Sequence, residues 1–343
     1  MVRLEIGRDE RGRERVVGEA LLAGRDRDIA RALDHGYQVI SLQQAPSIDR
    51  TVARLRIPEN KTIEAAVVEL RGLAPGAIVT ENTVYRSSQS SISISTAPAH
   101  PMRAAAPRGD LGIIDTGADV SALASPGALA GQRSFAGAYT PRDHGTIVAE
   151  LASRMGMRVR VADVFGVAND GGLAASADAL IAALDWMVAN NVAVINISIE
   201  GPRNAILEQE IRVAARRGHV IVAAAGNGGP TAAPAFPAAY DGAVAVTAID
   251  GTGHAYRRAN RGNYVAFAAA GVDIPVALAD HQVTVSGTSF SSPIVASQIA
   301  ALMRTVSPAE ARRALEALQH QAIDLGAPGR DPVFGWGAIN PPQ

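Results

Sequence analysis

Hydrophobic and polar positions in the first 86 residues alternate between strand-like and helix-like patterns. Apolar periodicity predicts helices over residues 25–34 and 62–73, and strands over residues 14–22, 37–43, 51–57 and 77–85. The order βαββαβ is the split-βαβ pattern, a four-stranded antiparallel sheet with two helices on one face. Residues 1–13 are charged and contain glycine, so we expect a frayed N-terminus.

Beyond residue 107 the pattern becomes a regular alternation of strand and helix. Strands are predicted near 110–115, 158–163, 192–199, 219–225 and 243–248, and helices near 144–155, 174–190, 203–217, 289–304 and 308–319. This alternation predicts an α/β fold, a doubly wound and mostly parallel sheet with helices on both faces. Ligands of such folds bind at the carboxyl ends of the strands.

Residues 87–107, between these two regions, differ from both in composition. Six serines lie between positions 87 and 95, and no Lys, Arg, Asp or Glu occurs until Arg103. We therefore predict a linker, which is either a surface stalk or a pliable strand that a cleft could bind in extended form. The predicted domains are 1–86 and 108–343, joined by 87–107.

Composition narrows the classes of function. With 48% hydrophobic and 19% charged residues, the 343-residue chain can bury a large core, and its net charge of −1 gives no electrostatic reason to expect nucleic acid as a partner. The absence of cysteine excludes disulfides and thiolate chemistry. No apolar run is long enough to span a membrane. The N-terminus lacks the apolar core of a signal peptide, so the chain is either intracellular or has lost an export signal.

The candidate chemistry centres on the stretch Gly287-Thr288-Ser289-Phe290-Ser291-Ser292-Pro293. It follows a strand-like run and opens a helix-periodic run, so Ser289 is predicted in the first turn of a helix. There it is either a simple helix cap or an acyl-transfer nucleophile, because unpaired N–H groups at a helix N-terminus stabilise negative charge.

A serine nucleophile needs a base and an orienting carboxylate. Asp115 directly follows an apolar strand, and His144 lies near the start of a predicted helix. Asn227 follows another apolar strand in the run Ala224-Ala225-Gly226-Asn227-Gly228, where its amide could donate a hydrogen bond to an oxyanion.

These four stretches, in the order Asp, His, Asn, Ser, resemble the subtilisin-like serine proteases (subtilases, peptidase family S8) over residues 105–343. The resemblance implies a subtilisin-like serine endopeptidase in which Asp115 orients His144, His144 is the general base, Ser289 is the nucleophile and Asn227 is the oxyanion donor. It further implies that substrate binds along two segments, which comprise Ser198, Ile199, Glu200 and Gly201, and Ala225 and Gly226.

The N-terminal βαββαβ region resembles the ferredoxin-like propeptide of that family, although an unrelated α+β module would show the same pattern. The resemblance implies a self-processing zymogen whose own propeptide is an intramolecular inhibitor, with the cut between about Tyr85 and Met102. Polypeptides are then the substrates, no cofactor is needed, and the enzyme is secreted or periplasmic.

The chain departs from the family at several positions. Glu200 stands where most relatives have a small residue, so it is either a solvated rim charge or a group that favours basic residues upstream of the scissile bond. The calcium-binding insertion after His144 is absent, which predicts no obligatory metal. Phe236-Pro237 resembles a family turn, and we predict a cis peptide bond there.

Two other functions remain open from the residues. A chain that has kept this fold without turnover would be a binding module, and the same triad could serve an esterase. The complete set of four candidate residues favours the peptidase.

Overall fold

A computed structural model of the chain describes residues 2–87, 90–95, 109–137, 141–279 and 281–340. The helices are α1 (Asp26–Asp34), α2 (Ile63–Leu73), α3 (Asp143–Arg154), α4 (Ala177–Ala189), α5 (Ala205–Arg217), α6 (Thr288–Leu302) and α7 (Pro308–Gln321). The strands up to residue 115 are β1 (Arg3–Leu4), β2 (Ile6–Arg8), β3 (Glu14–Gly24), β4 (Gln38–Ala45), β5 (Arg50–Arg56), β6 (Ile78–Ser87), β7 (Ser91–Ser95) and β8 (Gly109–Asp115). The later strands are β9 (Leu129–Ser134), β10 (Met157–Asp163), β11 (Phe165–Ala168), β12 (Leu173–Ser176), β13 (Val194–Ile197), β14 (Ile199–Glu200), β15 (Val220–Ala224), β16 (Ala243–Ile249), β17 (Val265–Ala270), β18 (Ile274–Ala277) and β19 (Gln282–Ser286).

The N-terminal region folds around one antiparallel sheet with the strand order β6-β3-β5-β4. Side chains from one face of the sheet pack with α1 and α2 into a closed apolar core that includes Leu22, Tyr37, Leu55 and Leu70. Thr62 caps α2, since its hydroxyl oxygen accepts from the Ala65 N–H at 3.2 Å. The element order is the βαββαβ order that the hydrophobic pattern predicts.

The expected fraying of residues 1–13 is wrong. Arg3–Leu4 and Ile6–Arg8 are strands: β2 pairs with β3, and β1 pairs in parallel with β11 of the second region. The partner of β1 lies more than 150 residues downstream, so no local apolar pattern could reveal this pairing.

The second region is built on a seven-stranded sheet with the order β17-β16-β15-β13-β8-β10-β9, and every neighbouring pair is parallel. Its two faces bury separate cores. One core includes Ile147 of α3 and Val295 of α6, and the other includes Leu184 of α4 and Ile211 of α5. The parallel α/β sheet is therefore confirmed, and β9 and β17 are strands that the hydrophobic pattern did not predict.

The N-terminal sheet lies with its other face on α4 and α5, where polar side chains pair across the contact. Arg54 binds both carboxylate oxygens of Glu19, at 2.6 and 2.7 Å, and reaches Asp178 of α4 at 3.5 Å. Asn82 donates to Glu19 at 2.9 Å and to Asp178 at 3.0 Å. Every one of these charged groups thus has a partner within the contact.

One further polar cluster at this contact contains two carboxylates and one hydroxyl. Ser47, in the turn between β4 and β5, lies within hydrogen-bonding distance of Asp185 Oδ1 (2.8 Å) and of Glu210 Oε2. A serine hydroxyl carries one proton and can donate to only one of the two carboxylates. Burial raises the pKa of Glu210 to about 7, while the Ser47 hydrogen bond opposes the rise. Glu210 is therefore partly protonated at neutral pH, and its proton can supply the second donor that the contact with Ser47 needs.

Part of the predicted linker is not a linker in structure. Residues Ser91–Ser95 form β7, which pairs antiparallel with β19 in the register Ser91 opposite Ser286. Ile92 and Ile94 alternate with serines, as in a strand, but the sequence does not show that β19 is the pairing partner. Residues 88–89 and 96–108, which include half of the predicted processing region, lie outside the described residues.

Candidate active site

Asp115 and His144 come together at the carboxyl end of the parallel sheet. Asp115 is the last residue of β8 and fully buried, and His144 is the second residue of α3. Asp115 Oδ1 lies 2.8 Å from His144 Nδ1, and it also accepts from the Thr116 N–H at 2.6 Å. When Nδ1–H donates to this carboxylate, Nε2 is left as the basic nitrogen of the ring.

Gly145 allows this approach between helix and strand. Its N–H donates to Thr116 Oγ1 at 2.8 Å, and a Cβ atom at this position would lie 2.1 Å from the Thr116 carbonyl oxygen. The glycine of the His-Gly-Thr stretch is therefore required because the start of α3 rests directly on the chain that follows Asp115.

Ser289 is the second residue of α6 and is fully buried. Its N–H is among the first four of the helix, which have no acceptor within the helix. Its Oγ and His144 Nε2 are both buried without a hydrogen-bond partner in the described part of the chain. The ring of Phe290, the next residue, lies 5.4 Å from the His144 ring between centroids, so the two helix starts meet at these side chains.

Asn227 is oriented by the residue that precedes Ser289. Its Oδ1 accepts from the Thr288 N–H at 3.0 Å and from the Thr288 hydroxyl at 3.1 Å. These bonds fix the amide with Nδ2 as the free donor, and Nδ2 is buried without an acceptor among the described residues. The arrangement presents an N–H donor beside Ser289, as an oxyanion site requires.

Ser198 supports the helix that carries Ser289. Pro293 lacks an N–H, so it cannot donate to the Ser289 carbonyl four residues earlier. The Ser198 hydroxyl donates to that carbonyl instead, at 2.9 Å, and accepts from Asn196 Nδ2 at 2.8 Å. The side chain of this predicted substrate-binding residue is thus fully buried and bonded to α6.

Ile199, Glu200 and Gly201 line the path of β6. Ile199 pairs opposite Ser87, and Glu200 opposite Arg86. A Cβ atom on Gly201 would lie 2.5 Å from the Tyr85 ring, so the glycine makes room for that aromatic side chain.

Ala225 and Gly226 form the backbone beside Asn227. The Ala225 carbonyl accepts from the Tyr264 hydroxyl at 2.9 Å. Gly226 has a φ of +106°, and a Cβ there would meet Asn260 Nδ2 at 2.5 Å and Glu200 Oε2 at 2.8 Å. Glu200 Oε2 accepts from the Asn227 N–H at 3.2 Å, so this half-buried carboxylate rests on the backbone of the Asn227 loop.

Two described segments of the chain flank this site. Ser87 pairs with β14 on one side, and Ser91 pairs with the last residue of β19 on the other. Between them, Ser90 lies so close to Gly287 that a Cβ on the glycine would be 2.8 Å from Ser90 Cβ and 3.2 Å from Asn227 Nδ2. The sequence predicts a pliable segment here, but the close approach of Ser90 to Gly287 could not be predicted from the sequence.

Other predictions concern a metal, a membrane and a turn. The described residues contain no group of three His, Asp or Glu side chains placed to hold a metal ion, and the absence of an obligatory metal stays a prediction. None of the described helices is long and apolar enough to cross a membrane. The predicted cis peptide bond at Phe236–Pro237 is confirmed.

Comparisons with known proteins agree with this geometry. The family model described as the subtilase family matches residues 111–337, which is more than half of the chain. The minor extracellular protease Epr of Bacillus subtilis (strain 168) is 34% identical over 163 residues, covering 47% of this chain and 25% of Epr. Subtilisin DY of Bacillus licheniformis is 29% identical over 249 residues, covering 67% of this chain and 88% of that protein.

Among solved structures, fervidolysin from Fervidobacterium pennivorans, a keratinolytic enzyme related to subtilisin, superposes with a TM-score of 0.79 at 19% identity. The match covers 99% of this chain and 62% of the fervidolysin chain, and it shows a common fold. This chain thus spans only a quarter of the length of Epr and under two thirds of that of fervidolysin. The matched family model, together with the parallel sheet that brings Asp115, His144, Asn227 and Ser289 to one edge, shows that the chain belongs to the subtilase family of subtilisin-like serine peptidases.

Proposed function

We propose that the protein is a serine endopeptidase that hydrolyses polypeptides through an acyl-enzyme. Ser289 Oγ attacks the carbonyl carbon of the scissile bond while His144 Nε2 takes its proton, and Asp115 holds the imidazolium. Asn227 Nδ2 and the Ser289 N–H stabilise the oxyanion. The imidazolium then protonates the departing amine, and a water molecule activated by His144 releases the acyl group.

One observation carries the proposal: the three groups that the reaction needs are buried together without a partner. Ser289 Oγ, His144 Nε2 and Asn227 Nδ2 are all unpaired, whereas Asp115 Oδ1 and Asn227 Oδ1 are held by hydrogen bonds. Leaving buried polar atoms unpaired costs about 1–3 kcal/mol each, a cost that a purely structural cluster would avoid. A binding module without turnover has no use for three such atoms in one place.

We further propose that residues 1–86 are a ferredoxin-like propeptide and that the chain cuts itself. The antiparallel βαββαβ unit, its docking on α4 and α5, and the passage of β6 and β7 along the two sides of the candidate site support this. The match to fervidolysin, which covers 99% of this chain, includes this unit. After the cut, β6 would stay paired with β12 and β14 as a product, so the freed domain would inhibit the enzyme.

The strand registers narrow the expected cut. Ser87 belongs to the strand on one side of the candidate nucleophile, and Ser90 already lies beside Gly287 on the other side. We propose that the cut falls at one of the three bonds from Ser87 to Ser90, within the broader interval from Tyr85 to Met102 that the sequence predicts. Because Epr is an extracellular protease, we also propose that this protein acts outside the cytoplasm.

The peptidase is tested by labelling the purified full-length chain with a fluorophosphonate and measuring hydrolysis of matched peptide and ester substrates. We expect labelling at Ser289 and turnover of the peptide. A protein that takes no label contradicts the nucleophile, and one that is labelled but turns over only the ester contradicts the endopeptidase.

A further inference from the structure

The strand β6 approaches the candidate nucleophile as a substrate would, and two neighbouring side chains near its C-terminal end lie in different surroundings. Tyr85 is fully buried in apolar surroundings that include Ile199 and Ile206. Arg86, the next residue, turns to the opposite side, where its side chain is 28% exposed and makes four hydrogen bonds. An arginine with four acceptors this close to the cut marks a specific site.

The acceptors of Arg86 come from two parts of the chain. Glu14, in the N-terminal domain, accepts from Nε at 2.8 Å and from a terminal nitrogen at 3.3 Å. The turn between β11 and β12, in the second domain, supplies the Asp170 carboxylate at 3.1 Å and the Leu173 carbonyl at 2.9 Å. Glu14 would leave with the N-terminal domain after self-cleavage, whereas Asp170 and Leu173 belong to the catalytic domain.

The turn is organised for this contact before any substrate arrives. Asp170 Oδ1 accepts from the Gly172 N–H at 2.8 Å, which holds the side chain so that Oδ2 faces the guanidinium. That hydrogen bond, followed by the charge of Arg86, lowers the pKa of Asp170 and keeps it ionised. A Cβ atom on Gly172 would lie 3.1 Å from Arg86 Nη1, so the glycine leaves space for the guanidinium.

The two acceptors bind two different guanidinium nitrogens, since Nη1 donates to the Leu173 carbonyl and Nη2 donates to Asp170. A planar fork with several donors can reach both, while a lysine ammonium is a single point and cannot span them. The site therefore distinguishes arginine from lysine as well as from a neutral side chain.

We propose that the β11–β12 turn is a specificity subsite for arginine, with Asp170 and the Leu173 carbonyl as its determinants, and that the preferred substrates are polypeptides with arginine where Arg86 stands. This inference rests on the proposed endopeptidase function. The Arg86 position is the second to fourth residue upstream of the cut, depending on which of the three bonds from Ser87 to Ser90 is broken. The subsite differs from Glu200, whose carboxylate contacts the Asn227 N–H.

The test compares three peptides that copy residues 82–93 and carry arginine, lysine or citrulline at the position of Arg86. Citrulline keeps the size and most donors of arginine but has no charge. For the self-activated full-length enzyme we expect kcat/KM about three- to tenfold higher for the arginine peptide than for the citrulline peptide, with lysine between them. The difference should shrink at high ionic strength, because an exposed ion pair is screened.

Asp170→Asn should remove most of the preference, and the asparagine keeps an acceptor for the Gly172 N–H, so the turn is preserved. Asp110→Asn is the matched control, because Asp110 is equally exposed and also pairs with an arginine, Arg158 at 2.8 Å, but lies at the opposite end of β8 from Asp115. Taking the ratio of arginine to citrulline within each enzyme cancels any change in the amount of uninhibited enzyme.

Equal rates for the three peptides in the wild-type enzyme, or an unchanged ratio in Asp170→Asn, would overturn the subsite and leave the endopeptidase standing. Hydrolysis of none of the peptides would overturn the proposed function on which the subsite rests. A ratio that falls in Asp170→Asn and holds in Asp110→Asn supports the subsite.

Discussion

The candidate active site and the contact between the two domains are both buried polar clusters, and they treat their polar groups in opposite ways. At the active site, Ser289 Oγ, His144 Nε2 and Asn227 Nδ2 have no partner in the described structure. At the domain contact, Arg54 and Asn82 bind Glu19 and Asp178 in a closed network. In the proposed function, the first cluster keeps its donors and acceptor for a substrate, whereas the second holds the two domains together.

The difference explains how one chain can hold both. Pairing stabilises the contact of the N-terminal domain with α4 and α5, whereas the unpaired atoms of the candidate active site are costly to bury. Glu210, at the domain contact, combines features of both clusters: its Oε2 contacts Ser47, while its Oε1 is buried without a partner in the described residues. A carboxylate in that position gives the domain contact a dependence on pH.

Removing the nucleophile should give the largest effect. In Ser289→Ala, we expect peptide hydrolysis to fall by about 10⁴–10⁶-fold, because the acyl-enzyme cannot form. The melting temperature should stay close to that of the uncut wild type, since the hydroxyl makes no hydrogen bond that would be lost. A variant that hydrolyses peptides at even a tenth of the wild-type rate would show that the unpaired cluster is not the reacting one.

Removing the oxyanion donor should give the next largest effect. Asn227→Ala should lower kcat by about 10²–10³-fold with little change in KM, because Nδ2 would bind the oxyanion and not the ground state. A change confined to KM would show instead that Nδ2 holds substrate. Fluorophosphonate labelling of the variant, slower but still at Ser289, controls for its folding.

The affinity of the cleaved N-terminal domain should fall as pH rises from about 5 to about 8. Burial raises the pKa of Glu210 from 4.5 to about 7 in the docked state, so docking is coupled to the uptake of a proton. This uptake stabilises the complex at low pH. The stabilisation is lost as the pH rises through the raised pKa. Asp185 and Arg217 also face this group, and the charge of Asp185 raises the pKa of Glu210 while that of Arg217 lowers it. We expect the inhibition constant to weaken by about ten- to a hundredfold.

Glu210→Gln is the matched variant, because its amide can donate to Ser47 as the protonated acid does but cannot ionise. The ratio of the wild-type to the variant inhibition constant at each pH cancels any pH dependence of the catalytic step itself. We expect this ratio to rise with pH. A ratio that stays flat from pH 5 to pH 8 would show that the protonation of Glu210 does not contribute to docking.

A smaller effect, on stability, is expected from removing the Ser198 hydroxyl that supports the helix of the nucleophile. Ser198→Ala leaves the Ser289 carbonyl with only the long hydrogen bond from the Ser292 hydroxyl at 3.5 Å, since Pro293 has no N–H to donate, and should lower the free energy of unfolding by about 1–3 kcal/mol. Denaturant unfolding of the Ser289→Ala chain, with and without the second substitution, measures this without self-digestion. Ser297→Ala is a control on the same helix, since its hydroxyl donates to the Pro293 carbonyl at 2.7 Å. A loss no larger than that of the control would contradict the role of Ser198.

The sequence predicts the long periodic elements well and the short paired ones poorly. The helices α1 to α7 and the apolar strands of both sheets repeat over enough residues for their period to be recognised. In contrast, β1 and β7 are short, and the alternation of apolar and polar residues in each does not identify the distant edge with which it pairs. The alternation of strands and helices predicts the fold class, but the strands that pair at the edges of the sheets can be identified only from the structure.

The candidate site divides in the same way. Asp115, His144, Asn227 and Ser289 lie in stretches whose residue types already suggest their chemistry. The role of the Ser198 side chain depends on Pro293, which lies 95 positions away in the chain, and Asp170 gains meaning only from Arg86 beside it. An Asn-Asp-Gly-Gly turn at 169–172 is an ordinary turn signal, so nothing in the sequence marks it as a subsite.

The most direct test of the central claim, that the chain threads its own cleft and is cut there by Ser289, is the intact mass and N-terminal sequence of protein purified from a protease-deficient host. The wild type should yield two fragments that stay together, the second beginning at Ser88, Gln89 or Ser90, and Ser289→Ala should remain a single chain. Two fragments from Ser289→Ala, or a wild-type cut outside the three bonds from Ser87 to Ser90, would contradict the account.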